Sequence, residues 1–119
     1  MNDLLKIWAE KIRANDVNQV VELYHNNAIL LGTFSNIERK GKDLIFNYFK
    51  NLFKKSIDVE IITNHEYLTD SITVNTGLYN FIINDKKIKA RFSFVFVKTI
   101  ESWEIISHHS SELPETIKR

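Results

Sequence analysis

Residues 71–98 read SITVNTGLYNFIINDKKIKARFSFVFVK, and the reading of this stretch decides the fold. Two β-rich runs flank Asn84-Asp85, a pair that signals a hairpin turn. Strand alternation puts Arg91, Ser93, Val95 and Val97 on one face of the second run and Phe92, Phe94 and Phe96 on the other. Both faces are largely apolar, so both are expected to be covered. Helices can cover one, and a second copy of the chain is the economical cover for the other. Arg91 in such a strand is either at an exposed end or facing a polar cavity.

Outward from this hairpin the same period continues. Ile57, Val59 and Ile61 alternate with Asp58 and Glu60, and SWEIISHH (102–109) supplies a last strand. Toward the N-terminus the period becomes helical. Leu4, Leu5, Trp8 and Ile12 form one stripe, with Asn2 available as a cap. Val17, Val20, Val21 and Tyr24 form a second after Asn15-Asp16, and Leu44, Ile45, Tyr48, Phe49, Leu52 and Phe53 a third after Gly41. Ala28 to Leu31 reads as a strand between the second and third helices. Helices followed by antiparallel strands predict an α+β fold with helices on one face of a curved sheet. No linker, repeat or low-complexity tract divides residues 1–119, which read as one domain.

Composition narrows the function classes. Sixteen basic residues against 15 acidic ones give a net charge of +1, which argues against a nucleic-acid or membrane surface. Lys54-Lys55 and Lys86-Lys87 read as a solvated helix end and a turn. The N-terminal segment carries charges throughout and reads as neither signal peptide nor membrane span, so a cytoplasmic protein is the default. Without cysteine there is no disulfide, thiol nucleophile or cysteine-based zinc site. With only Gly32, Gly41 and Gly77, there is no phosphate-cradling loop, dinucleotide fingerprint or serine-hydrolase elbow, and no cofactor is implied.

The chemical candidates lie near the C-terminal end. His108 and His109 are neighbours on a strand, so they point to opposite faces and cannot easily ligate one ion. His25 and His65 read as residues of unrelated turns, and no metal site is expected. Glu66 and Glu104 are the acids that could look inward as a general base. Trp8, Tyr24, Tyr48 and Tyr79 are either plain core residues or core residues whose polar tips reach a cavity.

The order of elements, with LLKIWAEKIRAND (4–16), VVELYHNNAILLGTFSN (20–36), GKDLIFNYFKNLFKK (41–55), TGLYNF (76–81), ARFSFVFVK (90–98) and WEIISHHSSELP (103–114), resembles the nuclear-transport-factor-two-like superfamily in its SnoaL-like branch. Within it, the chain is most similar to the association (hub) domain of calcium/calmodulin-dependent protein kinase II and its small bacterial relatives. The resemblance implies a cone-shaped curved antiparallel sheet wrapped around N-terminal helices and enclosing a pocket. It also implies a homodimer through the outer sheet face, with higher assembly in the kinase hub. The hub's pocket arginines fall here at Phe94 and Ser110, so its carboxylate-binding set is not carried over. In the register of that family Ser110 points inward, and His108 with it, while His109 faces the rim or the partner.

Together these readings predict a homodimeric small-molecule-binding or assembly domain. Its expected pocket residues are Trp8, Tyr48, Tyr79, Arg91, His108 and Ser110, with a small organic ligand and the chain itself as partners. The alternatives are a cofactor-independent isomerase, dehydratase or hydrolase, with His108 as acid/base and Arg91 or Tyr79 polarising a carbonyl, and an oligomeric scaffold with a vestigial pocket.

Overall fold

A computed structural model describes residues 3–114. Three helices, α1 (Leu4–Ala14), α2 (Val17–Glu22) and α3 (Lys42–Leu52), combine with six strands: β1 (Tyr24–Leu31), β2 (Arg39–Lys40), β3 (Ile57–Leu68), β4 (Ile72–Ile83), β5 (Lys86–Lys98) and β6 (Trp103–Glu112). The strands form one curved, unclosed sheet in the order β2-β1-β6-β5-β4-β3. This is the α+β arrangement expected.

The helix ends follow from short polar side chains. Asp3 caps α1 by accepting from the Lys6 amide at 3.1 Å; Asn2, the cap suggested by sequence, lies outside the described residues. Asn15 ends α1 in the left-handed region at φ 59°. Asp16 then caps α2 by accepting from the Asn18 and Gln19 amides. Tyr24, which continues the apolar spacing of α2, instead opens β1.

Asn84 and Asp85 both have positive φ, 50° and 67°, as a two-residue hairpin turn matched to the strand twist requires. The turn pairs Ile83 with Lys86 and fixes the β4–β5 register along its full length. Four of the five strand pairings are antiparallel, as expected; β1 runs parallel to β6. Such a pair needs a long connection, here the whole chain from β2 to β5.

The alternation in β5 sorts its faces. Phe92, Phe94 and Phe96 are buried against the helices, and Arg91 and Ser93 face out. A bulge between Val95 and Phe96 absorbs one extra residue of β6 before His108. Beyond it the period is unbroken: His108 is paired with Phe94 and Ser110 with Phe92, both toward the helices. The core between helices and sheet holds Leu5, Trp8, Ile12, Val20, Ile45 and Phe49 against Tyr24, Leu30, Val59, Tyr79 and the β5 phenylalanines. No helix among the described residues is long and apolar enough to cross a membrane.

Candidate functional site

Inside the sheet, polar atoms from five segments meet in a buried row. Trp8 Nε1 donates to Tyr24 Oη at 3.2 Å, and Tyr24 Oη bonds His108 Nδ1 at 2.9 Å. On the other side of the ring, His108 Nε2 lies 3.2 Å from Tyr79 Oη, which donates to Ser110 Oγ at 2.6 Å. Ser110 Oγ reaches Thr33 Oγ1 at 2.5 Å, where the row meets the half-buried turn after β1. The imidazole is stacked on Phe94, with ring centroids 3.8 Å apart, and Trp8 stands edge-on to it. Burial in this aromatic cage lowers the His108 pKa from 6.5 to about 3, assisted by the charge of His109, so the ring is neutral. The same burial raises the phenols of Tyr24 and Tyr79 well above their ordinary range.

Beside this sealed row, at one end of the sheet, opens a cavity of about 510 Å³. Its walls come from the turn after β1 (Phe34, Ser35), from Arg39 on β2, from the last turn of α3 and its exit (Asn51, Leu52, Lys55), and from the β4–β5 hairpin (Ile83, Lys86, Ile88). Tyr48 forms the floor. Its ring lies so close to Gly32 that any Cβ there would sit about 2.5 Å from it, and burial raises its phenol to about 12. The Arg39 guanidinium lies 5.7 Å over the Tyr48 ring. Its Nη1 donates to the Leu44 carbonyl and its Nη2 to Ser35 Oγ, while its Nε is buried without a partner. Arg39, Lys55 and Lys86 thus face one volume whose described lining includes no Asp or Glu. Three cationic side chains around one volume repel one another, and an anion bound in the cavity is the chemistry that relieves the cost.

The residues expected around one pocket divide three ways. Tyr48 lines the cavity. Trp8, Tyr79 and His108 do not; they pack into the core because Phe94 and α1 close over them, and Ser110 lies between that core and a shallow groove beside Thr33. Arg91 is exposed on the outer face in a shallow depression with His65, Ser93, His109 and Ser111. It cannot meet His108, because strand alternation sends the two to opposite sides of the sheet. An enzyme using that pair is excluded. His25 and His65 sit on β1 and β3 rather than in turns. Glu66 accepts from Asn75 at 3.1 Å on exposed β3, and Glu104 is half-buried in a shallow depression with Asp70, Lys98 and Glu101. Sequence reasoning missed Arg39; Lys55 and Lys86, read as a solvated helix end and a turn, are exposed there as expected and also line the cavity. No local pattern marks them, since only the tertiary fold brings the end of α3 and the hairpin tip together.

Residues 1–115 match the family described as SnoaL-like domain. Among solved structures, a candidate calcium/calmodulin-dependent protein kinase II association domain from Xanthomonas campestris is 34% identical, with 94% of this chain and 84% of that chain covered and a TM-score of 0.88. An NTF2-like protein of unknown function from Pseudomonas putida has a TM-score of 0.84 at 15% identity, covering 97% of this chain and 87% of that one. A candidate ketosteroid isomerase from Parabacteroides distasonis has a TM-score of 0.81 at 21% identity, covering 95% and 87%. The last two likenesses are of fold alone. No match is found among the curated proteins.

Proposed function

This chain belongs to the SnoaL-like domain family, and from that premise we propose that it is a small-molecule-binding domain whose ligand carries an anionic group held in the Arg39–Tyr48 cavity. The observation that carries the reading is the convergence of Arg39, Lys55 and Lys86 on one cavity whose described lining holds no carboxylate. Phe34, Tyr48, Leu52 and Ile88 supply apolar wall for the rest of the ligand. A volume of about 510 Å³ suits a small organic acid. Tyr48 contributes its ring face and remains a protonated donor at neutral pH.

The assembly half of the reading is a homodimer through the outer face of β3 to β6, where Ile62, Tyr67, Ile72 and Leu78 stand exposed. Its support is that apolar row together with the likeness to an association domain.

Calorimetric titration with benzoate as probe tests the binding site. Wild type binds benzoate and not the isosteric benzamide, and Arg39→Ala weakens benzoate at least tenfold, the loss of about one charge-assisted hydrogen bond. Equal binding of benzamide and benzoate would contradict an anion site.

A further inference from the structure

The buried row of hydrogen bonds has a direction, fixed independently from both ends. Trp8 Nε1 is a donor only, so Tyr24 Oη accepts from it. Tyr24 is fully buried, and its one proton has a single acceptor within reach, His108 Nδ1. Were Nδ1 to carry the proton instead, the Tyr24 hydroxyl hydrogen would be orphaned in the core, at a clear cost in stability. From the other end, the geometry at Tyr79 and Ser110 makes the phenol the donor. With that proton spent, Tyr79 Oη can only accept from His108 Nε2, which must carry hydrogen. Ser110, receiving from Tyr79, keeps one proton to give, and Thr33 Oγ1 is the hydroxyl within its reach.

We infer that this chain runs one way, Trp8 to Tyr24 to His108 to Tyr79 to Ser110 to Thr33, with His108 locked as its Nε2–H tautomer, and that Ser110 and Thr33 are positioning residues for the cavity. Thr33 is the first central residue of a turn closed by the Ser35 amide on the Gly32 carbonyl. The next residue, Phe34, lines the cavity and its amide donates to Tyr48 Oη at 3.4 Å. Ser35 follows, and its Oγ accepts from Arg39 Nη2. The hydroxyl of Thr33 is therefore the pin by which a rigid core holds the turn that aims Arg39. Because Thr33 accepts from Ser110, its own proton points away from the core, toward the groove lined by Asn36, His109 and Ser111. This assignment rests on the binding reading only where it speaks of ligand affinity.

The test separates the two. With His25, His65 and His109 each changed to Gln, His108 is the sole histidine of a ¹⁵N-labelled protein. Its spectrum is expected to show a pyrrole-type Nε2 and a pyridine-type Nδ1, unchanged from pH 7.5 to pH 5. A proton on Nδ1, or an imidazolium in that range, overturns the assignment. In the second arm, Thr33→Val is expected to speed amide exchange at Phe34 and Ser35 without altering global stability to the same degree, and Thr33→Ser to restore protection. Unchanged exchange in Thr33→Val overturns the positioning role. Benzoate affinity should fall roughly five- to tenfold in Thr33→Val and in Ser110→Ala, and recover in Thr33→Ser. Should wild type fail to bind benzoate while the tautomer and exchange results hold, the relay stands and the anion-site reading alone fails.

Discussion

His108 shows how much one buried ring contributes to the pH response of the whole chain. Its folded pKa lies at about 3 against 6.5 when unfolded, because burial penalises the charged form. Between those values the unfolded chain binds a proton that the folded chain refuses. Stability is therefore complete above the unfolded value and falls as pH drops through the window, by at most about 1.4 kcal/mol per pH unit. Urea unfolding from pH 7 to pH 4 checks this. His108→Gln should be less stable than wild type at pH 7 yet lose less on acidification, and parallel losses would contradict the assignment. Strand alternation set His108 and His109 on opposite faces, and the register of the resembled family made the inward facing of His108 and Ser110 legible. Whether that face held a cavity or packed side chains was not, because Trp8, Tyr24 and Phe94 fill it from three separate elements. Arg91 was misplaced for the same reason: alternation set it opposite Phe92, but the identity of the open side depends on where the helices dock.

At the scale of elements, the hairpin was legible in full. Asn84-Asp85 announced a turn that only residues tolerant of positive φ can make, and the two flanking runs paired as their length allows. The helices were legible from spacing and caps, apart from Tyr24, whose position satisfies both the end of a helical stripe and the buried start of a strand. Two-residue β2 left no signal, since two residues carry no period. The bulge between Ile61 and Thr63 was also silent, yet it explains Gly77. A Cβ at Gly77 would collide with the backbone carbonyl of Thr63, which cannot rotate away as a side chain could. Gly77→Ala must push β3 off β4 and is expected to cost about 1–3 kcal/mol. Chemical denaturation reads that loss directly; a change within a few tenths would show that β3 yields freely.

For the whole molecule, two surfaces matter: the cavity at one end and the outer sheet face. If the outer face is the dimer surface, light scattering will give twice the chain mass of 14.0 kDa, and Leu78→Glu will halve it without unfolding the chain. A wild-type monomer would remove the assembly half of the account, and a ring would extend it. The cavity is the surface on which ligand binding turns, and the Arg39 Nε–H is its natural reporter, being buried within a side chain that lines it. The most direct measurement is the ¹H–¹⁵N resonance of that group during titration with benzoate and, separately, benzamide. Benzoate is expected to give a saturable downfield shift, accompanied by Phe34 and Ser35, and benzamide none. An Arg39 Nε–H signal that stays fixed while benzoate binds elsewhere, or not at all, would contradict the anion-site reading.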